Sequence, residues 1–455
     1  MFAKISVALC SLAMIVGMSA VSAPADAAAR PSKITLVKAV AGPHAGQVTI
    51  AWKTDGKHTS AFKIETGLNS FSKISKSMPR VGRSAKIFTV AGTRRSVTLS
   101  AAQVRAAGAG LGTGNHLYFR IYAVNGSTTR AYPYLKAVMP KAAATTASGT
   151  SVRLASFNVR TARATSDKRN WLKRAPDVAR QIRDKNPGVV ALQELGPGRA
   201  DGKKGKTNGH TRQTVSLLNN LKKVGAGKYR LVRTTPYVKP GTTHNTQGAR
   251  ILYDSTRYRL AWACPEKTGK KNYSTSCSLN LPLLSSDGES KRRSAAYALL
   301  ENKRTGKRFW FASVHLDDRH SKSKAKEKQY NALRGRQMKA VYTRLAQVNT
   351  KKRQVVVAGD VNSWQNNRVG NAPHDYLVGQ GFYDTAAART RVRTQYTTIN
   401  HFDRVLHPAS QGYGVRIDVI MVRGLKSAQR FENVMKVVDA KRPSDHNMII
   451  SDVVL

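Results

Sequence analysis

The rhythm of apolar and polar residues changes near residue 150. Before that point short runs alternate: Gln47–Lys53 (QVTIAWK), Ala61–Glu65, Ser96–Leu99 and His116–Asn125 (HLYFRIYAVN), divided by Gly, Pro, Ser and Asn clusters. Such alternation buries one face of each strand, so residues 31–140 predict a small all-β, immunoglobulin-like sandwich. After it, strand and helix patterns alternate. VRLASFNVR from Val152 reads as a strand, Trp171, Ala175, Val178, Ala179 and Ile182 recur at helical spacing, and GVVALQEL is the next strand. Further strands are expected at RILYD (250–254), SAAYALLEN (294–302), RFWFASVHL (308–316), RQVVVAGDVN (353–362), RIDVIMVRG (416–424) and MIISDVVL (448–455), with a second long helix near Gln329–Val348. Many strands and few long helices predict an α/β domain of two packed sheets with helices outside. Between the domains, KAAATTASG lacks either period, which places a linker at residues 141–151 and the second domain at 152–455.

Residues 1–27 read as a secretory signal. Lys4 precedes an apolar run, Ile5–Gly17, and Ala25-Asp26-Ala27 has the form of a cleavage site. That run is shorter than the roughly 20 residues a membrane span needs, and no later run is apolar enough, so a secreted, extracellular protein is expected. Loss of the signal removes Cys10 and leaves Cys264 and Cys277, an even pair expected to form a disulfide. In the chain-entropy model a loop of that size is stabilised by about 3 kcal/mol.

Charge narrows the partners. The chain has 455 residues, with 77 Lys+Arg against 25 Asp+Glu and a net charge of +52. Residues 31–142 carry +15 of this and residues 143–455 carry +36, so both domains attract polyanions and neither owes its field to a tail. The first domain is thus a candidate for contact with an anionic surface or extracellular polymer. In so basic a chain the acids stand out.

Several of these acids sit with Asn and His at the ends of predicted strands. Asn158 ends SFN, Glu194 follows VVALQ, His315 lies in SVHL, Asp360 and Asn362 in AGDVN, Asp418 in RIDVI, and Asp445-His446 in PSDHN. Singly, each has an ordinary explanation: a turn, a cap, or a hydrogen-bonded core residue. Together they match a need. Hard divalent cations such as Mg²⁺ take carboxylate and amide oxygens, and imidazoles beside them move protons near neutral pH. That combination suits phosphoryl transfer.

On these residues, 152–455 resembles the endonuclease/exonuclease/phosphatase superfamily, and FNVRT is close to the deoxyribonuclease I type. The resemblance implies a four-layered α/β/β/α sandwich and a secreted, metal-dependent phosphodiesterase. It implies Glu194 as principal Mg²⁺ ligand (Mn²⁺ or Ca²⁺ being alternatives), assisted by Asn158 and Asp445. It further implies Asp360 and Asn362 positioning phosphate and water, Asp418 orienting His446, and His446 and His315 contacting the scissile phosphate. Arg160 is the candidate substrate contact. One departure is visible: HNTQGARILYD lacks the Glu that deoxyribonuclease I-type enzymes place there to pair with the first His, which leaves Asp317 or Asp318 as candidate partners of His315. The first domain, with Trp52 and Tyr118-x-Arg120-x-x-Ala123-x-Asn125, resembles fibronectin type III modules, in which the Trp and Tyr pack the core.

Charge then selects among substrates. Lys/Arg contacts to a nucleic-acid backbone release counterions and give affinity without sequence choice. Arg160, Arg163, Arg169, Lys203, Lys204, Lys206, Arg319, Lys322 and Lys324 are candidates for such contacts. DNA or RNA is the first expectation. A sphingomyelinase, phospholipase C-like or phosphoinositide activity would use the same residues, and a non-catalytic polyanion-binding adhesin would show no turnover at all.

Overall fold

The structure is a computed structural model describing residues 29–455 apart from 68–85, 108–115, 135, 143–146, 164–169, 206, 233–247, 263–277, 366, 368 and 438–440. The expected signal, the Cys264–Cys277 pair, Arg169 and Lys206 lie outside the described residues.

The first domain is a β-sandwich with one short helix, Ala101–Ala106. Leu36–Ala41, Val48–Lys53 and Ser96–Leu99 form one sheet. Lys86–Ala91, Ala61–Gly67, Leu117–Asn125 and Thr128–Ala131 form the other, with Lys136–Val138 also paired to Leu117–Asn125. Trp52 lies in the core between them, its ring centroid 5.0 Å from that of Phe62. Tyr118 corrects the sequence expectation. Strand residues alternate faces, so Phe119 and Ile121 enter the sandwich core while Tyr118 packs on the opposite face with Ala137. That face meets the second domain, where the Ala137 N–H donates to the Tyr413 hydroxyl at 2.9 Å.

The linker is not a free tether at its start. Met139 is buried in the second domain's core, and the Ala142 N–H donates to the Ala387 carbonyl at 2.8 Å.

The second domain has two seven-stranded sheets face to face. One runs Tyr229–Leu231, Arg250–Asp254, Val189–Gln193, Ser151–Asn158, Met448–Val454, Ser427–Val434, Thr390–Val392. The other runs Tyr258–Leu260, Ser294–Asn302, Arg308–His315, Val355–Asp360, Asp418–Arg423, Phe382–Asp384, with Ser278–Asn280 on Ser294–Asn302. Leu154, Ala191, Ile251, Phe311, Val356 and Ile420 fill the space between the sheets. Helices Trp171–Lys185 and Gln213–Lys223 cover the outer face of the first sheet through Trp171, Val178, Ile182 and Leu217. Lys324–Val348 and Ala372–Gly379 cover the second through Met338, Val341, Leu345 and Leu377. The layers are therefore α/β/β/α, as expected. Trp171 is fully buried, and truncating such a side chain costs about 3–5 kcal/mol.

Register brings the chemistry to one end. The parallel pairing Gln193↔Asn158 sets Glu194 beside the end of Ser151–Asn158. In the facing sheet the pairs His315↔Asp360 and Asp360↔Asp418 put three candidate residues in one row across three strands.

Candidate active site

Three of the connections leaving these strands pass through left-handed backbone at residues other than glycine: Arg160 (φ 57°), Glu194 (φ 58°) and Asn362 (φ 47°). Such conformations cost about 1–3 kcal/mol each and persist where the surroundings over-determine them. Here the neighbouring amides do so. The Arg160 N–H donates to Asn158 Oδ1 (3.1 Å), the Thr161 N–H to Glu194 Oε2 (2.9 Å), and the Asn362 N–H to Asp360 Oδ1 (2.9 Å). Buried Arg174 reinforces the first turn and ties it to the Pro443 segment, giving its guanidinium protons to the carbonyls of Val159 (2.7 Å), Arg160 (3.0 Å) and Pro443 (2.8 Å).

Asp360 is the hub. Its Oδ2 accepts from Asn158 Nδ2 at 3.1 Å and lies 3.6 Å from His315 Nε2 and 3.7 Å from His446 Nε2. Asn158 Nδ2 also donates to Glu194 Oε1 at 3.2 Å, so one amide bridges carboxylates from the two sheets. His446 Nδ1 is 3.1 Å from Asp418 Oδ2, and the Thr398 hydroxyl accepts the backbone N–H of Ile417 (3.2 Å) and Asp418 (3.4 Å). Asn158, Asp360, Asp418, His315 and His446 are all buried, whereas Glu194 is half-buried at the rim.

Burial controls the electrostatics. Loss of solvent, opposed by His446 and reinforced by Asp418, pushes the Asp360 carboxyl up to about 7. Burial works against charge on His446, but Asp418 and Asp360 outweigh it and raise the imidazole to about 10. At neutral pH His446 is therefore an imidazolium held by Asp418, beside a carboxyl poised to exchange a proton.

Three expectations change. Asp445 reaches the rim as the counter-ion of Arg160, and the Ser444 hydroxyl donates to it at 3.2 Å. Asn362 supports Asp360 through its backbone, while its side-chain amide donates to the Leu316 carbonyl at 3.1 Å. His315 has Arg293 beside Nδ1 at 3.4 Å. Of the two proposed acids, Asp317 binds Arg319 at 2.7 Å, while Asp318 binds Arg293 at 2.6 Å and also feels the charge of His315. Arg319 also leaves the list of substrate contacts, because it is locked between Asp317 and Asp287 (2.7 Å). Lys203, Lys204, Lys322 and Lys324 are exposed, as a solvated basic surface requires.

The donor set fits a hard divalent cation at the rim. Glu194 and Asp360 face a single bridging amide, Glu194 is half-buried, and the groups around it offer oxygens. Asp360, Asp418 and His446 also bring ligand-type atoms within 4.8 Å of one another. In that buried trio His446 Nδ1 already faces Asp418 at 3.1 Å, and the neighbouring carboxylates favour its protonated form, which competes with metal binding.

Arg174, Arg293 and Thr398 are site residues that the strand-end pattern does not reveal. Only Arg174 carries a sequence signal: it falls three residues after Trp171 and four before Val178, on the apolar helix face.

No protein-family model and no curated protein matches the chain. Among solved structures it is similar to an endonuclease/exonuclease/phosphatase family protein from Bacteroides thetaiotaomicron, at 17% identity over 68% of this chain and 99% of that one, with a TM-score of 0.48. It is also similar to a mannosyl-6-phosphatase from the same organism (16% identity, 67% and 100% covered, TM-score 0.47). A third is D. rerio TDP2 complexed with a single-strand DNA product (18% identity, 67% and 100% covered, TM-score 0.41).

Proposed function

We propose that this chain is a secreted member of the endonuclease/exonuclease/phosphatase superfamily that hydrolyses phosphodiester bonds in nucleic acid, with a fibronectin type III-like module ahead of its catalytic domain. The observation that carries this reading is the convergence of Asn158, Glu194, His315, Asp360, Asp418 and His446, from two sheets, on one buried hydrogen-bonded cluster.

A divalent cation held by Glu194 with Asn158, Mg²⁺ by the chemistry of the oxygens, supplies charge neutralisation at the phosphate when bound. The protein's own groups do the rest. His446, kept charged by Asp418, offers its Nε2 proton toward a phosphate oxygen, where negative charge grows during in-line attack. Asp360, held by the Asn362 and Asn158 amides, is placed to take the proton of the attacking water. His315, flanked by Arg293, donates to the phosphate. Arg160, half-buried and tethered to Asp445, extends this positive edge toward the polymer.

Nucleic acid is favoured as substrate by the +36 carried on residues 143–455. A duplex presents one negative charge per roughly 1.7 Å, and a broad basic surface binds it without sequence choice. The test is the purified chain lacking residues 1–27, incubated separately with plasmid DNA, RNA and sphingomyelin vesicles, with Mg²⁺ and with chelator. Nucleic-acid cleavage that stops with chelator is expected. Hydrolysis of sphingomyelin alone would move the assignment to lipid, and no Mg²⁺-dependent turnover on any substrate would leave a polyanion-binding adhesin.

A further inference from the structure

The two domains enclose a cavity of ≈ 570 Å³, away from the cluster just described. Strand Leu36–Ala41 forms one wall, with the Ala39 N–H donating to the Gln411 carbonyl at 2.8 Å. Gly412 lines the opposite wall with φ 91°, and a Cβ there would stand 2.7 Å from the Ala39 carbonyl oxygen. The contact therefore requires glycine both for its conformation and for its closeness.

The lining is strongly one-signed. Lys38, Lys141, Arg391 and Arg416 border the cavity together with His116, and none of its lining residues is an acid. One carboxylate stands behind the wall. Asp384 is gripped by Arg416 through two bonds of 3.0 and 2.7 Å, which consumes its charge locally. Arg391 spends donors on carbonyls, those of Met139 (2.6 Å) and Pro140, and gains no counter-ion from them. Burial, with Arg416 adding repulsion, lowers its pKa to about 10. Among the described residues, Lys38 (exposed) and Lys141 and Arg391 (half-buried) thus border the void with no carboxylate partner, Lys141 donating to the Pro43 carbonyl at 3.2 Å, so a bound anion would meet unneutralised charge there.

The walls also say something about the rest of the ligand. Val40, Val138, Met139, Ala386 and Pro408 add apolar surface, and the volume matches cavities that hold drug-sized organic molecules. A bare inorganic ion would leave most of it unfilled.

The geometry points to a binding site, between the first domain and the segment 394–416, for a phosphate-bearing organic anion of about mononucleotide size. The same segment carries Thr398, whose hydroxyl accepts the backbone N–H of Asp418, although Thr398 itself does not line the cavity. The site does not depend on which substrate the catalytic cluster cleaves.

Isothermal titration of the chain lacking residues 1–27, in chelator and low salt, tests it with AMP, inorganic phosphate and adenosine. AMP is expected to bind wild type and Glu194→Gln with equal affinity, inorganic phosphate more weakly, and adenosine not at all. Lys38→Ala/Lys141→Ala removes two cations from exposed and half-buried positions, so it should keep the wild-type unfolding midpoint and weaken AMP by about tenfold or more. Wild-type AMP affinity in the double variant, adenosine binding as well as AMP, or loss of AMP binding in Glu194→Gln would each overturn the assignment.

Discussion

Two of the buried histidine–carboxylate pairs of the second domain, His446–Asp418 and His374–Asp384, have similar geometry, and only the first adjoins the strand-end cluster. His446 lies 3.1 Å from Asp418, and His374 lies 3.0 Å from Asp384. All four side chains are buried. The difference is what stands beyond each pair. Past His446 is Asp360, which it shares with His315 and Asn158, next to half-buried Glu194. Past Asp384 is the two-bonded guanidinium of Arg416, and past His374 is the ring of His116 from the first domain, centroids 4.8 Å apart. Burial opposes charge on Asp384, yet Arg416 and His374 hold its carboxyl well below the usual range. The same kind of pair is proposed as a proton device where it meets a strand-end cluster, and packs as a bolt where the first domain covers it.

The largest expected contrast is in turnover. His446→Ala and Asp418→Asn should each lower nucleic-acid hydrolysis by about 10²–10⁴-fold, while His374→Gln leaves it within a few-fold. Equal losses in His446→Ala and His374→Gln would erase the distinction.

Stability should sort the pairs the other way. Asp384→Ala strands Arg416 without its anion and leaves His374 only Asp375, and a broken buried pair costs about 3–5 kcal/mol. Urea denaturation measures this. A midpoint unchanged from wild type would show that the bolt bears no weight.

pH sharpens the same contrast. Burial works against charge on His374, but Asp375 and Asp384 raise its pKa above 6.5, with His116 and Arg416 the other titratable or charged groups facing it. A raised histidine pKa means the pair's stabilisation is full below the unfolded-state value and fades as pH rises through the folded one. The wild type's stability advantage over His374→Gln should therefore be larger at about pH 5.5 than at about pH 9. An advantage that grows with pH would reverse the sign and contradict the account.

The smallest effects belong to the surface. Lys203→Ala/Lys204→Ala should raise KM a few-fold with kcat unchanged and flatten the salt dependence of binding. Arg319→Ala, which strands Asp287 and Asp317, should lower stability and leave KM alone. The reverse pattern would return Arg319 to the substrate surface.

The proposed catalytic pair is legible in the sequence and the bolt is not, for a physical reason. Asp418 and His446 sit next to regular apolar strands whose ends the alternation marks, and RILYD and SAAYALLEN appear in the structure with the predicted limits. Asp384 closes the three-residue strand Phe382–Asp384, too short for any period, and His374 lies in a helix of eight residues. Strand Ser427–Val434 escaped because its polar residues are neutralised by distant partners, Glu432 by Lys185 at 2.7 Å among them. Arg293 and Thr398 act through contacts the chain makes only after folding. Tyr118 packs on the other face of its strand from the one the resemblance implies, because a resemblance transfers residue types more safely than contacts.

The most direct test is the plasmid-cleavage rate of Glu194→Gln beside wild type in saturating Mg²⁺, with the unfolding midpoint of both measured. A loss of about 10²-fold or more at an unchanged midpoint is predicted, because the half-buried carboxylate at the rim is the proposed cation ligand and Gln keeps an acceptor for the Thr161 N–H. Cleavage at the wild-type rate would contradict the assignment of this cluster as the catalytic centre.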